Sequence, residues 1–121
     1  MINRAALILI YKAPAIKWVN DADPYNDAPG ITEESIKDDQ TVYLISEDDA
    51  ETPDTIKKWL KLNYQILFEN ELETWYTDED LWPKKRTFAL FQKWFDYDCH
   101  SVIEDTVDGS IFDDEADDTY H

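Results

Sequence analysis

The stretch Thr52 to Trp75, TPDTIKKWLKLNYQILFENELETW, constrains this chain more than any other. Threonine is a good helix N-cap and proline a good first helical residue, and both stand at its start as Thr52 and Pro53. Apolar side chains then recur at Ile56, Trp59, Leu60, Tyr64, Ile66, Leu67 and Leu72, the spacing of an amphipathic helix of about six turns. A stripe of that length has to be covered, and the apolar runs on either side supply a sheet to cover it. The expected fold class is therefore α+β: a small mixed or antiparallel three-stranded sheet, packed by one long helix and two or three short ones.

The sheet is read from three runs. Ala5 to Tyr11, AALILIY, is almost continuously apolar and is expected to be a central strand buried on both faces. Thr41 to Ile45, TVYLI, is β-branched and aromatic and reads as a second strand. From Phe95 onward Phe95, Tyr97, Cys99 and Ser101 alternate with Asp96, Asp98 and His100, which predicts a third strand over Tyr97–Ile103, at an edge where acids discourage aggregation. Between them, Pro14 to Asn20 predicts a short helix, and Phe88, Phe91, Trp94 and Phe95 predict another within Thr87–Phe95. Thr77 and Asp80 form a loose capping box ahead of a turn that ends at Pro83. Asp21 to Gln40 has little periodicity and is expected to be a solvated loop with one helical turn opening at Thr32. One domain over 1–112 is expected, with an acidic tail over 113–121.

Charge divides the chain in two. Of 28 acids, twelve lie in Asp21–Asp54 against the single base Lys37, and ten lie in Asp96–His121 with no base; the remainder holds ten bases and six acids. The net charge of −17 thus belongs to loops and tail, on a mildly basic scaffold. Such a field disfavours direct binding to nucleic acid or to an anionic membrane and steers a basic protein partner inward. Within the long helix Lys57, Lys58 and Lys61 precede Glu69, Glu71 and Glu73, the reverse of what the macrodipole favours, and the lysines are expected to face the acidic turn Glu47–Glu51. The lone Cys99 excludes an internal disulfide, no run is long enough for a signal peptide or membrane span, and a cytoplasmic protein is expected.

The candidate partner-binding residues are Asp38, Asp39, Glu47, Asp48, Asp49, Asp113, Asp114 and Glu115. Two metal readings stand beside them. A strand would present Asp96, Asp98 and His100 on one face, an oxygen and nitrogen set for a divalent ion or an acid–base pair. Glu104 to Glu115, EDTVDGSIFDDE, is spaced like a calcium loop, with Asp108, Gly109 and Glu115 in place but Glu104 where Asp is wanted and Thr106 at a ligand position. Two glycines cannot build a phosphate loop, no nucleophile elbow is present, and no cofactor is expected. The functional expectation is a non-catalytic acidic interaction domain for a basic protein, in the limit a nucleic-acid mimic. The alternative is a small metal-dependent enzyme or metal-binding module using Asp96, Asp98 and His100.

The steps W-x-T-D-E at Trp75–Glu79, W-P at Trp82–Pro83, R-T at Arg86–Thr87, W-F-D at Trp94–Asp96 and H-S at His100–Ser101, with the earlier TVYLI, resemble a family of small uncharacterised bacterial proteins. The resemblance covers about two thirds of the chain. It implies no activity, cofactor or catalytic residue.

Overall fold

Alternation of small and branched apolar side chains makes Arg4–Tyr11 a strand, β1, whose odd-numbered members Ala5, Leu7, Leu9 and Tyr11 are buried. The computed structural model describes residues 1–22 and 30–113. After β1 come helix α1 (Ala13–Asp21), a 3-10 turn (Ser35–Asp39), strand β2 (Val42–Ser46), helix α2 (Pro53–Trp75), a second 3-10 turn (Glu79–Leu81), helix α3 (Phe88–Trp94) and strand β3 (Phe95–His100). The three strands form one antiparallel sheet in the order β2-β1-β3. Both outer strands are edges, as the acids on the third strand lead one to expect.

All three helices pack on the face that carries Leu7, Leu9 and Tyr11. Tyr11 meets Phe95 with ring centroids 5.0 Å apart, and Phe68 of α2 touches Phe91, Trp94 and Phe95 at 5.7, 5.3 and 5.6 Å. Among the described residues no helix packs on the opposite face. Ala6, Ile8 and Ile10 are only half-buried there, while Val42 and Leu44 are 55% and 51% exposed. The expectation that β1 is buried on both faces is therefore corrected: a near-continuous apolar run signals a central strand, but it does not reveal how many layers cover it.

Helix α2 begins where its cap chemistry places it. Thr52 Oγ1 accepts from the Thr55 N–H at 3.1 Å and Thr55 Oγ1 accepts from the Thr52 N–H at 2.9 Å, a reciprocal cap in which threonine stands where glutamate is usual. Thr52→Ala is expected to lower stability by about 0.5–2 kcal/mol, measured as a fall in the urea midpoint. An unchanged midpoint would mean that the first turn contributes nothing to the folded state. In α3, Thr87 Oγ1 caps the Leu90 N–H at 3.1 Å. The cap of the second 3-10 turn is Asp78, whose Oδ1 accepts from the Asp80 N–H at 3.0 Å, and not Thr77. The buried face of α2 carries Ile56, Leu60, Leu67, Phe68, Glu71 and Leu72. Ile66, expected on that face, is 70% exposed, because at 3.6 residues per turn it lies about 140° around the helix from Glu71.

Asn20, near the end of α1, holds Ile31 of the chain that leads back to the sheet. Asn20 Oδ1 accepts from the Ile31 N–H at 2.7 Å and its Nδ2 donates to the Ile31 C=O at 3.1 Å. A β-carbon on Gly30 would stand 2.8 Å from that same Oδ1, so glycine is required beside an amide pinned at both ends. Ile36, in the turn that follows, is buried, so the expected solvated loop is anchored at this point.

Candidate functional site

Glu71 is the one buried polar or charged side chain among the described residues, 5% exposed in the middle of the apolar face of α2. Its Oε1 accepts from the Tyr11 hydroxyl at 2.8 Å and its Oε2 accepts from the Tyr43 hydroxyl. Trp75 Nε1 donates to the Tyr11 oxygen at 2.9 Å and Asn70 Nδ2 to the Tyr43 oxygen at 2.8 Å. Among the described residues no cation pairs with Glu71. Burial pushes the Glu71 carboxyl above its usual range, although both tyrosine hydrogen bonds pull it down. Burial, followed by the Glu71 charge, raises the Tyr11 phenol, and burial followed by the Glu71 hydrogen bond raises the Tyr43 phenol. The cavity beside Glu71, bordered by Tyr11, Ala15 and Trp94, has no room for a water-sized guest. The cluster ties β1, β2 and α2 together; its Glu71–Tyr11 end is closed, while Tyr43 and Asn70 line an open pocket of about 310 Å³ between β2 and α2.

The uncovered sheet face has a different chemistry. The registers place Val42, Ile8 and Asp98 in one cross-strand row and Leu44, Ala6 and His100 in the next, with Ile10 beside Asp96. The face thus carries an exposed apolar column on β2, a half-buried apolar column on β1 and an acidic column on β3. At the Ile10 end it opens into a broad cleft of about 1060 Å³, lined by Ile10, Glu33, Glu34, Lys37, Asp96 and Asp98. The cleft is open rather than enclosed, and His100 lies outside its lining.

Asp96, Asp98 and His100 do share one exposed face of β3, as the alternation predicts. They stand in a row, with successive members separated by about 6.6 Å along the strand, rather than converging on a point. Asp96 Oδ1 also accepts from the Tyr97 N–H at 2.9 Å, which occupies a donor on the open edge of the sheet. Among the described residues no three His, Cys, Asp or Glu side chains are grouped to hold a metal ion. Cys99 points the other way from His100; it is half-buried, and burial raises its thiol above the ordinary value.

The remaining candidate acids are dispersed. Asp38 and Asp39 fall in the first 3-10 turn, with Asp38 exposed, and Glu47, Asp48 and Asp49 occupy the turn between β2 and α2. Asp108 and Asp113 are exposed, and Asp114 and Glu115 lie outside the described residues, so the calcium-loop reading falls partly outside them too. Its first position is engaged elsewhere: Glu104 Oε2 pairs with the Met1 ammonium at 2.6 Å. The lysines of α2 do not meet Glu47–Glu51. Among the described residues, none of the ion pairs within 4 Å involves Lys57, Lys58 or Lys61, a correction to the expectation of local neutralisation.

Compared with family models, curated proteins and solved structures, the chain matches none. The site is therefore read from its own chemistry. No helix among the described residues is long and apolar enough to cross a membrane. Sequence reasoning missed Glu71, Glu33 and Glu34. For Glu71 a signal was present, since it falls four residues after Leu67 and one before Leu72, inside the apolar stripe. For Glu33 and Glu34 there was none, because only the fold brings them beside β3.

Proposed function

We propose that this chain is a non-catalytic docking domain that receives a basic protein partner on the uncovered face of its sheet. One observation supports this above the others: an exposed apolar column, Val42 and Leu44, runs parallel to an acidic one, Asp96 and Asp98, with half-buried Ile8 and Ile10 between them. An uncovered apolar patch rimmed by charge is the usual mark of an interaction surface. The rim selects for sign: Glu33, Glu34, Asp96 and Asp98 outnumber Lys12 and Lys37 in the cleft and favour lysine and arginine, and the net charge of −17 speeds the approach of such a partner. The acids of the Glu47–Asp49 turn and the tail extend that field without fixing an orientation.

The test is affinity capture with wild type and with the double variant Asp96→Lys/Asp98→Lys, both substitutions at exposed positions of an edge strand. Wild type is expected to retain a basic protein that elutes as salt rises from about 0.15 M to about 1 M, where the screening length falls from about 8 Å to about 3 Å. The variant is expected to lose it. Retention by the variant would sink the proposal, and a tight stoichiometric metal signal abolished by the same substitutions would support the metal-dependent alternative. Nucleic-acid mimicry is the limiting form of the proposal, and in that case added duplex DNA displaces the domain from its partner.

A further inference from the structure

The charge order along α2 is unfavourable to the helix that carries it: Lys57, Lys58 and Lys61 lie toward its N-terminus, Glu69 and Glu73 toward its C-terminus, against the macrodipole. Charges in that order suit a second helix running the other way, whose acidic half then lies beside the basic half of the first.

The side of α2 turned away from the core carries what such a contact needs. Leu62 and Ile66 are 75% and 70% exposed, more than any other large apolar side chain of the helix. At about 100° per residue, Lys58, Leu62, Ile66, Glu69 and Glu73 fall within an arc of about 80°. Toward β2 this arc borders the open pocket of about 310 Å³, whose helix side is Trp59, Asn63, Ile66, Leu67 and Asn70. Among the described residues no hydrogen bond or ion pair engages Lys58 or Glu73, and Glu69 gives one oxygen to Arg86 at 3.3 Å.

We propose that α2 of one copy packs antiparallel against α2 of a second copy, about a two-fold axis that passes between Leu62 and Ile66. With a rise of about 1.5 Å per residue, Leu62 and Ile66 each stand about 3 Å from that axis, so Leu62 of each copy comes level with Ile66 of the other, at the mouth of the pocket. Lys58 stands about 9 Å from the axis on one side, and Glu69 and Glu73 about 7.5 Å and 13.5 Å on the other. Each Lys58 therefore comes level with the span between Glu69 and Glu73 of the other copy. The contact is isologous, so one surface satisfies itself twice. A partner of a single charge sign is instead repelled by one half of this face. The apolar pair excludes water at the centre and the charges fix the direction, because a parallel pairing would set Lys58 beside Lys58 and Glu69 beside Glu69. The face borders β2, at the opposite edge of the sheet from Asp96 and Asp98 of β3, and the pairing does not rest on the docking function.

Sedimentation velocity of the full chain tests this, over a concentration series from about 10 μM to about 500 μM in about 0.15 M salt, where repulsion between the two acidic copies is screened beyond about 8 Å. Wild type is expected to show a concentration-dependent dimer. Lys58→Glu and Glu69→Lys/Glu73→Lys, all at exposed positions and checked for wild-type circular dichroism, are each expected to raise the dimer dissociation constant about tenfold or more. Loss of the surface Glu69–Arg86 pair is expected to leave the fold intact. Net repulsion alone would move the two variants in opposite directions, since one makes the chain more negative and the other less. Mixed in equal amounts, they form a heterodimer in which both contacts again join opposite charges, with a dissociation constant expected within about threefold of wild type. A wild type that stays monomeric throughout, a variant that dimerises as wild type does, or a mixture no tighter than its components overturns the proposal.

Discussion

Phe68→Ala is expected to cost about 3–5 kcal/mol, a large part of the roughly 5–15 kcal/mol that holds a domain of this size together. Phe68 is fully buried and makes ring contacts with Phe91, Trp94 and Phe95, so truncation removes a side chain that joins α2 to α3 and to the start of β3. The neighbouring rings are held by their own partners: Phe95 packs on Tyr11 at 5.0 Å and Trp94 on Trp18 at 5.7 Å, which limits collapse into the space. Urea unfolding followed by tryptophan fluorescence gives the number. A loss below about 1 kcal/mol would mean that the aromatic cluster repacks freely and that these ring contacts do not set the helix positions.

The second large effect concerns Glu71 and has a definite sign. Its carboxyl is held above the ordinary range in the folded chain, so between the unfolded and folded values the native state binds more protons than the unfolded one. Stability from this group is therefore full below the ordinary carboxylate range and is lost as pH rises through the raised folded value, with a slope of at most about 1.4 kcal/mol per pH unit. Glu71→Gln keeps an acceptor for a tyrosine hydroxyl and removes the charge. It is expected to be more stable than wild type at pH 8, with the two urea midpoints converging as pH falls toward the ordinary carboxylate range. Glu71→Leu should instead leave the Tyr11 and Tyr43 hydroxyls without their acceptor, at about 1–3 kcal/mol for each. Parallel pH profiles for wild type and Glu71→Gln would show that another group titrates in that window.

Local chemistry made part of this fold legible. The Thr52 cap, Pro53 and the apolar period define α2 to within a residue of its observed limits, and the change from helical to two-residue spacing at Phe95 marks the junction of α3 and β3. What failed was long-range. Nothing in AALILIY says that one of its faces is left without a helix, since coverage depends on where the chain goes after Tyr11. Ile66 looks like a core residue until the helix is rotated to bury Phe68 and Glu71, and that rotation is set by Tyr11 and Tyr43 on distant strands. Acid density along the chain points to Asp38, Asp39 and Glu47–Asp49, and strand alternation to Asp96 and Asp98, whereas Glu33 and Glu34 come beside the third strand only through the topology. Density records net charge; a binding face needs carboxylates fixed by backbone, and among the described residues the third strand holds Asp96 and Asp98 in that way.

The order β2-β1-β3 has a consequence for synthesis. Of the three strands the first to be synthesised is the middle one, and its Ala6–His100 pairing joins residues from nearly opposite ends of the described sheet segment. Until β3 emerges, the most apolar segment of the protein lies with one hydrogen-bonding edge bare, the condition under which nascent chains associate wrongly. Sheet closure thus waits until β3 has emerged, and chaperone dependence should be greatest for chains stalled before Phe95.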